Sequence, residues 1–141
     1  IGMMNFALMT VMSQFIFGVP IKGNGLMLAV CASLYVTVTT SIGLLVATFT
    51  SSQVAAVFVT AIVTMVPTIQ FSGMTQPVST LQGSARITGT LWPTTYYMLA
   101  SVEAFTKGSG ARQLGWRALA LAAFIPVLTL LSVKLLKRQE A

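Results

Sequence analysis

Long apolar runs separated by short polar breaks dominate the first half of the chain. Lys22 is the only charged residue before Arg86, so the 63 residues between them contain no Asp, Glu, Lys, Arg or His. A transmembrane helix needs about 20 apolar residues to cross roughly 30 Å of hydrocarbon. A charge-free stretch of this length therefore has room for two crossings.

The polar breaks divide the chain into four apolar segments and one irregular region. The first segment ends at Pro20, because proline cannot continue a helix, and turn residues 22–25 precede the second. Residues 50–52 separate the second segment from the third, and a serine hydroxyl there is predicted to cap the helix that begins near Gln53. From segment length at 1.5 Å per residue, we predict spans over residues 1–18, 26–49, 53–72 and 116–136.

Residues 73–114 break this pattern. Gly, Pro, Thr and Ser interrupt apolar stretches that are too short to cross the membrane. Trp92, Tyr96 and Tyr97 favour the membrane interface, because their rings are apolar whereas their N–H and O–H groups need water. The region therefore predicts short re-entrant or interfacial helices before the last span.

Together these segments predict an all-α fold, a polytopic membrane helical bundle with about four transmembrane helices. Residues 1–141 are expected to form one transmembrane domain fragment. Because the chain opens inside an apolar run without the features of a signal peptide, we expect it to be the C-terminal part of a longer polypeptide.

Composition supports a membrane protein. Hydrophobic residues make up 55% of the chain and charged residues 7%, with a mean hydropathy of +0.86, whereas a typical soluble domain carries about 25% charged residues. The net charge of +6 comes from 8 basic and 2 acidic residues, which lie near the ends of apolar segments. We therefore expect membrane lipid as a partner of the basic tail, and not nucleic acid, since the tail lacks interleaved aromatic residues.

The chain lacks the residues for hydrolytic or metal chemistry. It has no histidine, and its two carboxylates, Glu103 and Glu140, are far apart in sequence, which excludes an acid/base pair, a Ser-His-Asp triad and a zinc site. A GxxxxGK[ST] phosphate loop is also absent. We therefore predict no enzyme activity and no catalytic, cofactor-binding or metal-binding residue. Glu103 is predicted to pair with Lys107 at i, i+4; the alternative is a proton relay or a substrate ligand.

Four polar residues in the second and third spans are candidates for a helix interface or for the lining of a path. Ser33, Thr37 and Ser41 recur every four residues, which places them on one helix face. Small polar side chains allow another helix to approach closely, although the same hydroxyls can instead bond their own backbone. The amide of Gln53 is costly to leave in lipid and is expected to face protein, water or the interface.

Proline and glycine mark candidate kinks and gate positions. Pro67 removes an N–H within the third span and predicts a kink, either a fixed packing feature or a hinge that moves. Pro126 predicts a second kink in the last span. Gly73, Pro77 and Pro93 in the irregular region complete this set.

Five short sequence features follow one another in a specific order. They are Phe17-Gly18-Val19-Pro20, Ala47-Thr48-Phe49-Thr50-Ser51-Ser52-Gln53, Phe71-Ser72-Gly73-Met74 with Pro77 just after, Trp92-Pro93-Thr94-Thr95-Tyr96-Tyr97, and Thr106-Lys107-Gly108. This order resembles the C-terminal half of the membrane subunit of bacterial ABC-2 type ABC transporters. The resemblance covers nearly the whole chain.

The resemblance implies spans three to six of a six-span subunit, with two short re-entrant helices on the outer side. It implies that such subunits pair as homo- or heterodimers, and that ATP and Mg²⁺ bind in a separate or fused ATP-binding domain. The expected function is the permease part of an ATP-driven exporter in the bacterial inner membrane, forming the translocation path and outer gate with a second half. The alternative is a membrane anchor or assembly domain of a fused ABC ATPase, for example a ribosome-associated one, without transport.

By this resemblance the C-terminus is cytoplasmic, with Lys134, Lys137 and Arg138 inside. Five basic residues then lie outside, against the tendency of positive loops to stay inside; they are Lys22, Arg86, Lys107, Arg112 and Arg117. We keep the family orientation, because that tendency is scored over a whole protein.

Overall fold

The computed structural model describes residues 1–73, 75–108 and 110–139, and every regular element in this part of the chain is helical. A 3₁₀ turn at Val78–Thr80 precedes the fourth helix, and a π-helical turn at Glu103–Lys107 follows the fifth. The prediction of an all-α membrane bundle is confirmed. The helices are α1 (Gly2–Phe15), α2 (Gly25–Thr48), α3 (Gln53–Phe71), α4 (Ser84–Leu91), α5 (Pro93–Val102) and α6 (Ala111–Gln139).

Three of the described helices are long and apolar enough to cross a membrane: α2, α3 and the Arg112–Leu135 part of α6. The bounds of α2 and α3 lie within one residue of the spans predicted at 26–49 and 53–72. α1 has 14 residues and rises about 21 Å, less than the roughly 30 Å of the hydrocarbon core. This helix covers only part of the span predicted over residues 1–18.

The last helix begins at Ala111, whereas the sequence predicted a start near residue 116. Gly108 ends the π-helical turn in a left-handed conformation with a φ of 60°. The carbonyl of Gly110 then accepts hydrogen bonds from the N–H groups of Gln113 and Leu114 at 3.1 and 3.5 Å. Polar residues are acceptable in this first turn because they can reach water at the membrane surface. The irregular region therefore ends near residue 110 rather than at 114.

α2 lies at the centre of the bundle and contacts α1, α3, α5 and α6. Two buried clusters join it to α6: Cys31 packs with Ala118 and Leu121, and Leu28 packs with Leu114. Because the contacting residue numbers rise together along both helices, α2 and α6 run parallel.

α3 runs antiparallel to α2. Gly43 lies opposite Thr60, and Tyr35 lies in the same cavity wall as Thr68. The bundle therefore has two distinct ends. One end, called the re-entrant end after the sequence prediction, holds residues 16–24, 73, 75–108 and 110 with the start of α6. The turn end holds residues 49–52 with the end of α6. At the re-entrant end the loop before α2 joins the π-helical turn, where the N–H of Gly23 donates to the carbonyl of Ala104 at 2.8 Å.

α2 has a side-chain cap at its N-terminus, whereas α3 has none. The side-chain oxygen of Asn24 accepts from the N–H groups of Leu26 and Met27 at 3.1 and 3.2 Å. The predicted serine cap of α3 is wrong, because Ser52 occupies the capping position but its side chain makes no capping bond. The carbonyl of Ser52 accepts from the N–H of Ala56 at 2.9 Å, which is the ordinary first hydrogen bond of the helix.

Candidate functional site

A groove with threonine in its walls runs along the contact between α2 and α3. Two cavities of about 420 and 450 Å³ share Thr60 and together extend along α3 from Gln53 to Thr68. This length is about 22 Å at 1.5 Å per residue, which is most of the roughly 30 Å hydrocarbon core. We call it the threonine groove; its hydroxyls belong to Tyr35, Thr39, Thr40, Thr60, Thr64 and Thr68.

The hydroxyls of the threonine groove that bond their own helix can still accept a hydrogen bond from a ligand. Thr40 and Thr64 donate to the carbonyls of Val36 and Thr60, four residues earlier, at 2.7 Å each. Because a hydroxyl has one proton and two lone pairs, each can still accept a hydrogen bond. The groove thus offers methyl groups and acceptors, and none of its wall residues in the described part carries a charge.

A hydrogen-bonded network lies at the re-entrant end of the groove. The indole N–H of Trp92 donates to Thr68 Oγ1 at 3.1 Å. Thr68 Oγ1 lies 3.3 Å from Thr94 Oγ1, which in turn lies 3.1 Å from the hydroxyl of Tyr35. Thr94 is buried. Because Tyr35 is on α2, Thr68 on α3 and Thr94 on α5, the network ties the re-entrant segment to both walls of the groove.

Stacked tyrosines hold α5 against α2 beside this network. The rings of Tyr35 and Tyr97 are parallel to within 4°, with centroids 4.6 Å apart. Burial raises the pKa of the Tyr97 phenol above its ordinary value, so this phenol is neutral at physiological pH. The neighbouring Tyr96 donates to the carbonyl of Thr90 at 2.9 Å and packs on the ring of Phe124 in α6 at 6.1 Å. These contacts fix α5 to α2, α4 and α6.

α4 approaches the end of α3 through a glycine. Gly89 is buried, and a β-carbon at this position would lie 2.7 Å from the carbonyl oxygen of Phe71. The same β-carbon would lie 3.2 Å from side-chain atoms of Leu81 and Val78. Thr95 donates to the carbonyl of Gly89 at 2.6 Å. Only glycine fits this contact, which joins α3, α4 and α5.

An ion pair joins the π-helical turn to α6. Arg117 donates to Glu103 Oε1 at 3.0 Å, and the two side chains are 24% and 15% exposed. The prediction that Glu103 pairs with Lys107 is wrong. The π-helical turn, in which the N–H of Gly108 donates to the carbonyl of Glu103, departs from the α-helical i, i+4 geometry, and α6 brings Arg117 to the carboxylate instead. Oε2 of Glu103 is buried and has no partner among the residues that the structure describes.

The structure separates the four polar residues that the sequence grouped as candidates. Gln53 lines the threonine groove at the turn end. Ser33, Thr37 and Ser41 donate to carbonyls of their own helix at 2.8, 2.9 and 2.8 Å, the alternative that the sequence left open. They line neither cavity of the groove, although Ser33 also contacts the sulfur of Met3 in α1 at 3.5 Å. Their role in an interface or a path stays a prediction.

The sequence predictions did not include the threonine hydroxyls of α3 that line the groove. Thr60, Thr64 and Thr68 recur every four residues along α3, so the periodicity that identified the face of α2 also identifies this one. Trp92 and Thr94 carry no such signal, because several helix breaks separate them from the residues they contact.

The candidate kink and gate residues lie inside helices, at the start of helical segments, or just after a helix. Pro67 and Pro126 lie inside α3 and α6, whose helical backbones continue on both sides. Pro93 is the buried first residue of α5, and Pro77 directly precedes the 3₁₀ turn. Gly73 follows α3 with a φ of 93°, a left-handed conformation that favours glycine. Kinks at the two helical prolines and movement of a gate stay predictions.

Sequence comparison defines the class of protein. Residues 1–134 match the family described as "ABC-2 family transporter protein". Because the match covers nearly the whole chain, the chain belongs to this family, as the order of its motifs predicted. It is therefore a segment of the membrane-embedded part of a protein of the ABC-2 transporter family.

Two curated relatives share the name "Probable multidrug ABC transporter permease YbhS", one from Escherichia coli strain K12 and one from Escherichia coli O157:H7. Each is 29% identical to this chain over 109 residues, which are 77% of this chain and 29% of the relative. The chain thus spans less than a third of the length of these relatives. No solved structure matches the chain significantly.

Proposed function

We propose that this chain lines the translocation path of an ATP-driven exporter for apolar or amphipathic compounds. The observation that carries the proposal is the threonine groove, which extends over about 22 Å between Gln53 and Thr68. Ligand pockets are mostly apolar with a few polar groups that orient the ligand, and walls of methyl groups and uncharged acceptors fit a cargo of this kind. The word multidrug in the name of the Escherichia coli relatives agrees with it.

α4 and α5, with the turns beside them, are proposed to form the outer gate of this path. They lie at the re-entrant end of the groove, where Thr94 contacts Tyr35 and Thr68, and the gate is proposed to be closed in this arrangement. Gating requires two arrangements that differ in their contacts. Breaking the Thr94 contacts would remove the hydrogen bonds that join α5 to both walls, while the Tyr35–Tyr97 stack still holds α5 against α2.

Two partners complete the proposed transporter. An ATP-binding subunit or fused domain binds ATP and Mg²⁺ and drives the change between the two states, because this chain has no phosphate-binding loop. A second permease half, identical or different, closes the open side of the path. α3 supports this part of the proposal, because it has no buried side chain and presents exposed apolar residues such as Phe58 and Ile62.

The protein is proposed to lie in the bacterial inner membrane with the re-entrant end outside and the C-terminus in the cytoplasm. Lys134 is exposed at the turn end, where it would meet cytoplasmic headgroups. The side chains of Lys137 and Arg138, and Glu140 as a whole, lie outside the described residues. A fluorescent reporter at the C-terminus is expected to fold and fluoresce in the cytoplasm; activity of a periplasm-dependent reporter there would contradict this orientation.

Transport in proteoliposomes tests the function. The full-length protein and its ATP-binding partner are reconstituted, and the ATP-dependent movement of a lipophilic dye is measured together with ATP hydrolysis. Thr64→Val removes one acceptor from the groove and is expected to change dye specificity or KM. Thr129→Val is the matched control, because Thr129 makes the same bond to a carbonyl four residues earlier, at 2.7 Å, but lies on α6 outside the groove.

The outcomes separate the two candidate functions. Equal dye transport by the wild type and Thr64→Val, across several dyes, would remove the groove from the path. ATP hydrolysis that no dye stimulates, without transport, would instead support a membrane anchor or assembly domain of an ABC ATPase.

A further inference from the structure

A larger cavity lies on the other side of α2, between α2 and α6. Its volume is about 1130 Å³. Apolar side chains of both helices form most of its wall, chiefly Met27, Val30, Leu34, Trp116, Leu119 and Ala122. It shares no residue with the threonine groove and opens on a different face of α2.

Charged and polar side chains collect at one end of this cavity. Arg112 and Gln113 come from the first turn of α6, and the Glu103–Arg117 ion pair lies beside them. Glu103 neutralises Arg117, whereas Arg112 is exposed and has no ion-pair or hydrogen-bond partner within the described residues. Two guanidinium groups against one carboxylate leave this end with a net positive charge.

The dimensions of the cavity match one leaflet of a bilayer. Its wall on α6 extends from Arg112 to Ala122, about 15 Å at 1.5 Å per residue. This is half of the roughly 30 Å hydrocarbon core. Trp116 is 68% exposed at the edge of the cavity, as expected for an indole at the level of lipid headgroups. The cationic end therefore lies at headgroup depth, and the apolar wall at the depth of the acyl chains.

We propose that this cavity binds one anionic phospholipid of the leaflet at the re-entrant end. Its phosphate contacts Arg112 and Gln113, and one acyl chain lies between Leu34 and Leu119. Arginine binds phosphate through paired, charge-assisted hydrogen bonds, and the excess positive charge favours an anionic over a zwitterionic headgroup. A free phosphate ion would leave the apolar wall uncovered, whereas a phospholipid satisfies both ends. The site does not depend on the transport function proposed above.

The test uses Trp116 as a reporter in the full-length protein, reconstituted in nanodiscs of phosphatidylcholine. Bromine atoms on an acyl chain quench an indole only at short range, and Trp116→Phe gives the background from other tryptophans. Brominated phosphatidylglycerol is expected to quench Trp116 at a lower mole fraction than brominated phosphatidylcholine. The ratio of the two half-quenching mole fractions measures the preference for the anionic lipid.

Arginine variants test whether the preference for the anionic lipid comes from the cavity. Arg112→Gln is expected to lower it about fivefold, the effect of one basic residue near a membrane surface. Arg86→Gln is the matched control, because Arg86 is exposed on α4 and does not line the cavity. Arg112→Lys keeps the charge and is expected to retain most of the preference, which also shows that the variant at this position folds.

Three results would overturn the proposal. Equal quenching by the two brominated lipids would remove the headgroup site. An equal loss of preference in Arg112→Gln and Arg86→Gln would show that the preference comes from a general attraction to the basic surface and not from the cavity. Absence of quenching of Trp116 by either lipid would show that another part of the polypeptide, or a second permease half, covers the cavity.

Discussion

Replacing Gly89 by alanine tests the close packing of α4 on α3. The new β-carbon would lie 2.7 Å from the carbonyl oxygen of Phe71, and real β-carbons essentially never come closer than 3.0 Å to such an atom. The oxygen belongs to the last residue of α3 and cannot rotate away as the end of a side chain can. The substitution therefore forces α4 and α3 apart.

Two effects of opposite sign determine how much Gly89→Ala changes the free energy of unfolding. Alanine is favoured over glycine in a helix by up to about 1 kcal/mol, whereas overpacking a tight contact costs about 1–3 kcal/mol. Because the clash is with backbone, the cost at Gly89 belongs at the upper end, and we expect a net loss of about 2 kcal/mol in the free energy of unfolding. Gly43→Ala is the matched control, because its β-carbon would meet Thr60 at an ordinary 3.8 Å.

Thermal unfolding of the full-length protein in detergent measures the difference. Gly89→Ala is expected to lower the apparent Tm, and Gly43→Ala to leave it unchanged or raise it. An apparent Tm for Gly89→Ala that equals or exceeds that of the wild type would refute the packing of α4 against the end of α3.

Two other predictions concern the re-entrant end. Asn24→Ala removes the side-chain cap of α2 and is expected to lower the free energy of unfolding by about 1 kcal/mol; Asn24→Asp restores it, and an unchanged unfolding curve for the alanine variant would contradict the cap. Glu103→Gln and Arg117→Gln are each expected to destabilise the protein, and the double variant less than the sum. A coupling near 1 kcal/mol in this double-mutant cycle is expected for a partly exposed pair, and zero coupling would show that the pair contributes nothing.

The membrane helices could be predicted from the sequence because hydrocarbon excludes charge and requires internal hydrogen bonds. Few structures are compatible with a long run that has no charged residues. The predicted bounds of α2 and α3 therefore fall within one residue of the structure. The start of α6 was harder to predict. Arg112 and Gln113 are not among the residue types that mark a helix start, and the left-handed conformation of Gly108, which ends the preceding turn, is not visible in the sequence.

The contacts of the candidate site were less predictable because they join distant parts of the chain. A spacing of four residues predicts an ion pair only in an α-helix, and a π-helical turn replaces the α-helix at Glu103. Its partner Arg117 lies 14 residues away, on another element. The hydrogen bond from Trp92 to Thr68 spans 24 residues and crosses two helix breaks. Only the packing of α4 and α5 on α3 brings these two groups together.

The network around Thr94 sets how firmly the proposed gate is closed. Opening it breaks three neutral contacts, from Trp92 to Thr68, from Thr68 to Thr94 and from Thr94 to Tyr35. At about 1 kcal/mol each, they favour the closed state by roughly 100 to 1. Reversing such a ratio needs about 5.5 kcal/mol of differential contact free energy. In the proposed transporter the ATP-binding partner would supply this free energy, and a gate held by these contacts is expected to stay closed when that partner is at rest.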